Sequence, residues 1–256
     1  ETQEGAEALH LAEELSGAVQ PRETPPHPVP QQAQQTNNQR TEAQTDRHDG
    51  GDTRANRAIE VREDIDGTLA LRCSCRSAIC GSCAMRVNGH AVLACKTRAS
   101  ESLNTVGVMT VEPAGNMPVM KDLVVDFDPF WEKIRAVEPY LQPQGPEPED
   151  EYIASSESML HLSSVTACIM CGACVSDCTV LEVDPTFLGP AALLQSYRFL
   201  ADSRDEATEE RLSRLDDPFS LFRCHGIMNC VSVCPKGLNP TRAIGHIRSM
   251  LLERGV

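Results

Sequence analysis

The sequence has no uninterrupted apolar run of the roughly 18 residues that a membrane-spanning helix needs, and no apolar start that would act as a secretory signal. Basic residues are also scarce, because 23 Lys and Arg stand against 37 Asp and Glu and the net charge is −14. A phosphate-binding surface needs a basic stripe, so we expect no nucleic-acid partner. There is no GxGxxG motif. We therefore expect any dinucleotide or flavin to be bound by another chain.

Cysteine, by contrast, is present twelve times in 256 residues and falls into three spaced groups. The groups are Cys75-x4-Cys80-x2-Cys83 with Cys95 further on, Cys168-x2-Cys171-x2-Cys174-x3-Cys178, and Cys224-x5-Cys230-x3-Cys234. The first spacing is typical of a plant-type [2Fe–2S] ferredoxin. The second is typical of the bacterial run in which three cysteines hold one cluster and the fourth holds another. The pattern predicts a row of iron–sulfur clusters, and hence an electron-transfer protein.

Two other uses of cysteine have to be weighed against this prediction. Disulfide scaffolds are small secreted proteins with a much higher cysteine density than twelve in 256. Zinc is the stronger alternative, because CxxC pairs are common zinc ligands, although zinc sites usually combine two separated pairs. Thiols that bind metal indicate a reducing compartment, such as the bacterial cytoplasm or an organelle matrix.

The cysteines divide unevenly among the predicted clusters. Four thiolates, from Cys75, Cys80, Cys83 and Cys95, suffice for a [2Fe–2S] cluster. Cys73 is left over, and the x4 spacing favours its neighbour Cys75 as the ligand.

The seven remaining cysteines are one short of two complete four-thiolate sites. A two-cluster ferredoxin would have a cysteine at position 227, where this chain has Ile227. The crossed bacterial pattern assigns a [4Fe–4S] cluster to Cys168, Cys171, Cys174 and Cys234, and leaves Cys178, Cys224 and Cys230 for a [3Fe–4S] cluster. A three-thiolate [4Fe–4S] cluster with a fourth ligand from elsewhere remains the alternative.

Over residues 58–256 the chain resembles the iron–sulfur subunits of succinate dehydrogenase and fumarate reductase. The resemblance rests on SCR at 74–76, ICGSC at 79–83, LACKT at 93–97, VVD at 124–126, FLGPA at 187–191, and the block from FRCH at 222–225 to CPKGLNP at 234–240. The last block is more similar to succinate dehydrogenase than to fumarate reductase, which stays open as the second possibility.

The resemblance implies an α+β fold: a plant-ferredoxin-like β-grasp domain at 58–138, a linker at 139–152, and an α-helical ferredoxin domain at 153–256. It also implies that electrons pass from an FAD-containing flavoprotein that oxidises succinate, through the three clusters, to a membrane quinone. This chain would contribute no catalytic residue, and His225 and Ile227 would lie on the quinone side. Hydrophobic anchor subunits, with haem b as an option, would hold it on the cytoplasmic face of a bacterial plasma membrane or the matrix side of the mitochondrial inner membrane.

The sequence departs from the family pattern in two places. The family begins with two strands, but residues 1–57 show no strand-like alternation and are rich in Pro, Gln, Asn and Thr over 21–52. We therefore predict a disordered or non-native segment at 1–57 and an incomplete β-grasp domain. In addition, many members have two tryptophans shortly after the fourth cysteine of the second group, whereas residues 179–183 include no aromatic residue.

Local patterns predict the remaining elements. Asn88-Gly89 between two apolar triplets predicts a hairpin turn. Pro in the first turn of a helix, as at Pro190 and Pro240, is a typical helix beginning, and Asn239 before Pro240 is a typical N-cap. We predict helices at 58–65, 155–167, 189–201, 206–215 and 240–254, and strands at 85–87, 91–93 and 105–111.

Overall fold

The computed structural model describes residues 41–44 and 57–254, all of which fall within one compact unit, Arg40–Val256. Most of the segment 1–57 therefore lies outside the described residues. In the described part of the chain, no helix is both long enough and apolar enough to cross a membrane.

Strands lie in the first half of the unit and helices dominate the second. The strands are β1 (Thr41–Gln44), β2 (Ala84–Val87), β3 (His90–Leu93), β4 (Val108–Glu112), β5 (Val119–Lys121) and β6 (Val124–Val125). The helices are α1 (Arg57–Glu60), α2 (Ala99–Ser102), α3 (Asp128–Ala136), α4 (Ser156–Thr166), α5 (Ala173–Ser176), α6 (Thr179–Val183), α7 (Gly189–Leu200), α8 (Thr208–Leu215), α9 (Asn229–Ser232) and α10 (Pro240–Arg254). A π-helical turn, Val61–Ile65, extends α1, and a 3₁₀ turn, Ala94–Lys96, follows β3.

The predicted hairpin is confirmed as the β2–β3 pair of an antiparallel sheet with the order β1-β4-β2-β3. Asn88 and Gly89 connect the strands with φ values of 51° and 82°. Both residues are thus in the left-handed region that a tight two-residue turn requires, and Asn-Gly tolerates it best. Met85 and Leu93 point into the core of this half.

The predicted disordered or non-native segment at 1–57 contains a strand, β1. This strand pairs antiparallel with β4, with Thr41 opposite Val111 and Gln44 opposite Val108. Its sequence, TEAQ, lacks the apolar alternation that identifies a strand locally. Backbone hydrogen bonds to β4 define it instead, and these depend on a partner 64 or more residues away, since 108 − 44 = 64.

Two helices of the second half begin at side-chain caps, one of which, Asn239, was predicted. Ser155 Oγ accepts a hydrogen bond from Ser158 N at 3.1 Å before α4. Asn239 Oδ1 accepts one from Arg242 N at 2.8 Å at the start of α10. Each bond satisfies an amide that the first helical turn leaves without a partner.

Helix α3 was not predicted, although the sequence contains a signal for it. Pro129 stands in its first turn, a position that suits the fixed φ of proline. The buried face of α3, Phe130 and Ile134, packs into the same core as α7 and α10. This core joins the two halves of the unit and holds the cysteine-bearing loops between them.

Candidate metal centres

All twelve cysteines lie in the described residues, and none of them forms a disulfide bond, so the disulfide alternative is wrong. We name the predicted ligand sets by their residues. The first site comprises Cys75, Cys80, Cys83 and Cys95, the second site Cys168, Cys171, Cys174 and Cys234, and the third site Cys178, Cys224 and Cys230.

The loop of the first site is curved so that its amides point at sulfur. Cys75 Sγ accepts hydrogen bonds from the amides of Ser77, Ile79 and Cys80 at 3.4, 3.4 and 3.3 Å. Ala78 N donates to Cys95 Sγ at 3.3 Å, which links the loop to the end of β3. Successive inward-pointing amides form a concavity that favours negative charge, as thiolates at a cluster require.

The thiols of Cys80 and Cys83 in that loop differ in their environment. Cys80 is exposed, and the pKa of its thiol is lowered to about 6 by hydrogen bonds, first from the Ser82 hydroxyl and then from groups of Cys75 and the Ser82 backbone. Burial raises the pKa of Cys83 to about 12, with Cys95 and Cys73 adding negative charge nearby. A buried thiol with a raised pKa becomes a thiolate when a metal takes the place of its proton.

The second site is a group of thiols around a small cavity of about 20 Å³. Burial raises the pKa of Cys168, of Cys171 to about 11, and of Cys174 well above its usual range. The negative charge of Cys234 raises the pKa values of all three thiols further. Cys234, in the loop before α10, therefore lies close to the cysteines of the CxxCxxC run. The crossed pairing predicted from the spacing thus corresponds to neighbouring side chains.

The third site borders a second small cavity of about 30 Å³. Burial raises the pKa of Cys178 and of Cys230, and the charge of Cys224 raises both further. Ile227 and His225 line the same cavity from the loop between Cys224 and Cys230. Ile227 is 55 % exposed and has no ligating atom, so this cavity has three thiols where the second has four.

The donor sets and cavities fit polynuclear clusters better than a single ion. Zinc binds sulfur at about 2.3 Å, so its four thiolates must close on one atom. Within residues 41–44 and 57–254, no three His, Cys, Asp or Glu side chains come together in the way that one ion requires. The thiols instead surround cavities, which is the arrangement that a cluster of several iron and sulfide atoms needs.

The three sites lie next to one another in the order of their numbers. Gly81, in the first-site loop, packs directly against Cys171 of the second site. Cys230 of the third site is close enough to Cys174 of the second to raise its pKa. Cys73, which the sequence leaves without a role, is partly buried against the core of the sheet half.

A polar network that the sequence did not predict attaches the third site to the sheet. Asp177, buried next to Cys178, accepts a hydrogen bond from Arg86 Nε of β2 at 3.2 Å and one from Ala91 N of β3 at 2.9 Å. Asn116 Nδ2 donates to the Cys178 carbonyl at 2.9 Å and to the Val175 carbonyl at 2.8 Å. A charged residue on the otherwise apolar β2 was the available signal, but nothing in the sequence identifies its partner.

Cationic side chains also hold the loops of the third site. Lys133 of α3 donates to the carbonyls of Pro185 and Phe187, while Arg248 of α10 donates to the Cys224 carbonyl. Burial lowers the pKa of Lys133, and the charges of Asp184 and Cys178 oppose that shift. These cations neutralise part of the negative charge that a thiolate-bound cluster would bring to the site.

Comparison with known proteins gives the same two-part organisation. A family described as "2Fe-2S iron-sulfur cluster binding domain" matches residues 29–132, and one described as "4Fe-4S dicluster domain" matches residues 164–238. The first match begins well before residue 58, so the resemblance extends further toward the start of the chain than the sequence motifs indicated.

Two individual proteins are similar over most of their length. The "Succinate dehydrogenase iron-sulfur subunit" of Paracoccus denitrificans is 46 % identical over 197 residues, which cover 77 % of this chain and 75 % of that protein. A chain of the "Mycobacterium smegmatis Sdh1 complex in the apo form" superimposes with a TM-score of 0.70 at 27 % identity, covering 77 % of this chain and 82 % of that chain.

Proposed function

The chain belongs to the family of succinate dehydrogenase iron–sulfur subunits, and on that basis we propose how its residues divide the work of electron transfer. It is the electron-transfer subunit of an oxidoreductase complex, with a ferredoxin-type [2Fe–2S] domain and a ferredoxin-type dicluster domain. Succinate oxidation would take place on a partner flavoprotein that holds FAD. The fumarate reductase alternative is not favoured, because the curated relative is named a succinate dehydrogenase subunit.

The domain boundaries in our proposal are those predicted from the sequence. A β-grasp domain at 58–138 would bind the [2Fe–2S] cluster, and a helical ferredoxin domain at 153–256 would bind the other two, with 139–152 as the linker. Strand β1 supports a sheet that is more complete than the sequence indicates, because it adds a fourth strand beside β4.

The first site would hold the [2Fe–2S] cluster, the second the [4Fe–4S] cluster and the third the [3Fe–4S] cluster. The observation that best supports this assignment is the pair of cavities in the helical half, one with four thiols and one with three and Ile227. When bound, the clusters supply one-electron carriers, and the protein determines their position and potential. Amides donating to Cys75 and cations around the third site would stabilise negative charge and so raise the local potentials.

The surface around the third site supports docking on hydrophobic anchor subunits and access to a quinone. Four apolar residues within five positions of a third-site cysteine in the sequence, Val183, Phe222, Ile227 and Met228, are exposed. An exposed apolar patch of this kind usually marks an interaction surface. His225 and Ile227 would lie on the quinone side, haem b would be optional on the anchors, and the complex would lie on the cytoplasmic or matrix face of its membrane.

Metal analysis of the purified complex tests the assignment. We expect iron and acid-labile sulfide with no stoichiometric zinc, because the thiols line cavities rather than single-ion sites. EPR spectroscopy should show a [3Fe–4S] signal in the oxidised complex and a [2Fe–2S] signal after reduction. Bound zinc without these signals would refute the proposed function, and iron without the oxidised [3Fe–4S] signal would favour the three-thiolate [4Fe–4S] alternative.

Asp177→Asn is expected to reduce the occupancy of the third site. The substitution removes the negative charge that Arg86 binds, and the loop that positions Cys178 loses its tie to the sheet. We expect a weaker [3Fe–4S] signal per complex, while the [2Fe–2S] signal is retained. The measurement is spin quantification of both signals in the same sample.

A matched control is available in the same chain. Asp202 pairs with Arg204 at side-chain exposures of 6 % and 30 %, against 7 % and 30 % for Asp177 and Arg86. The hydrogen bonds that the structure gives the Asp202 pair in the described residues stay within positions 199–205, so Asp202→Asn should leave both signals at their normal intensity. Equal loss in the two variants would contradict a positioning role for Asp177.

A further inference from the structure

The loops of the first and second sites are in contact at Gly81, a residue without a side chain. A Cβ atom on Gly81 would lie 2.7 Å from Cys171 Cβ, 2.9 Å from Cys171 Cα and 3.2 Å from the Ile169 carbonyl oxygen. Carbon atoms do not approach to such distances. Because the atoms that would be struck belong to the backbone or are a Cβ, no change of rotamer could relieve the collision.

A second contact joins the same two sites. Lys96, which follows Cys95, donates a hydrogen bond to the Pro235 carbonyl at 3.4 Å, and Pro235 follows Cys234. The side chains of Ile169 and Cys171 also pack against the core of the sheet half, which includes Cys83 and Cys95. The first and second sites therefore share a wall of packed side chains and are tied at two points.

We propose that Gly81, with Lys96 as a second tie, is a positioning residue that sets the separation between the first and second clusters. The proposal rests on the cluster assignment of the proposed function. Each transfer moves one electron from the first site, which is oxidised, to the second, which is reduced, and no bond forms or breaks. Electron tunnelling decreases steeply with distance, so a methyl group that pushes Cys171 away from the first-site loop would slow this step.

A glycine at this position could also be required only by its backbone conformation, since its φ is +72°. The chain contains a control for that alternative. Gly89, in the β2–β3 turn, has φ +82° and would place its Cβ with nothing within 4 Å. Gly81→Ala and Gly89→Ala therefore impose a similar backbone strain, but only the first adds a collision with a ligand-bearing residue.

The test uses the purified complex and reads the distance between the clusters without relying on activity. The first-cluster EPR signal should relax faster when the second cluster is reduced, because the coupling between two paramagnetic centres decreases with the cube of their distance. We expect this enhancement in the unsubstituted complex and in Gly89→Ala, and its reduction or loss in Gly81→Ala, with slower internal electron transfer in stopped-flow experiments.

Each result bears on the proposal in a defined way. An unsubstituted complex without iron–sulfur signals would refute the proposed function, whereas an unsubstituted complex with both signals intact but no relaxation enhancement would overturn only the inference. The inference is also overturned if Gly81→Ala retains both clusters and matches Gly89→Ala in relaxation. If Gly81→Ala loses its first cluster, Lys96→Met decides in its place. A reduced enhancement in Lys96→Met would support the proposal, and an unchanged one would overturn it.

Discussion

Ile227→Cys is expected to convert the third site from three thiolates to four and to abolish the oxidised [3Fe–4S] EPR signal. The substitution restores the CxxCxxC spacing between Cys224 and Cys230, and position 227 already lines the cavity of the third site. Because Ile227 is 55 % exposed, its replacement removes little buried surface. A [4Fe–4S] signal of lower potential should appear after strong reduction, since a further anionic ligand favours the oxidised state.

Ile227→Ser is the matched control for this experiment. Serine has nearly the size of cysteine but supplies no thiolate, so the [3Fe–4S] signal should remain. If Ile227→Cys also keeps that signal, position 227 does not reach the cluster, and the explanation of the three-thiolate site by the residue at 227 is wrong. If both variants lose it, the loop itself depends on the isoleucine.

Arg211→Met is expected to cause the largest loss of stability of any single substitution that we propose. The side chains of Arg211 and Asp205 are 1 % and 0 % exposed and form an ion pair at 2.7 Å. Arg211 also donates to the carbonyls of Val137, Glu138 and Tyr140, which lie just before and within the predicted linker. Removing one member of a buried pair leaves the other without compensation and costs about 3–5 kcal/mol.

The measurement is thermal denaturation of the complex, followed by loss of cluster absorbance. A cost of about 3–5 kcal/mol corresponds to a decrease in midpoint of roughly 6–20 °C for a chain of this size. Arg214→Met is the control, because Arg214 lies on the same helix as Arg211 and forms an ion pair that is much more exposed. The side chains of Arg214 and its partner Glu138 are 46 % and 32 % exposed. Exposed ion pairs contribute little, so the control should denature close to the unsubstituted complex. Equal decreases would show that burial of the Arg211 pair is not the decisive factor.

The contacts of the linker could not be predicted from its sequence. Its proline-rich composition predicts only a linker between two domains. In the structure Arg211 binds it to the helical half, and Asp205 accepts a hydrogen bond from Gln142 N at 3.0 Å. Composition reports only what a segment can do locally. It contains no information about a charged partner about 70 residues further along the chain, as the separation of 71 between Arg211 and Tyr140 shows.

Helix ends and turns were predictable for the opposite reason. Ser155, Asn239 and the Asn88-Gly89 turn act on backbone groups within three residues of themselves. The local sequence is therefore enough to predict their effect. Strand β1 was not predictable, because its pairing with β4 supplies what its own residues lack.

The cysteines show the same division. The spacing within each run is a local property, since a cluster takes its ligands from tight loops, and the spacing alone predicts ligand sets of four, four and three. In the helical half, four and three of these cysteines line two separate cavities. The sequence also shows that Ile227 occupies the position at which a two-cluster ferredoxin would have a further cysteine ligand. Only the tertiary structure decides how the sites are arranged with respect to one another. Gly81 meets Cys171 from 90 residues away (171 − 81 = 90), and Arg86 meets Asp177 from 91, because packing of the sheet against the helices brings them together.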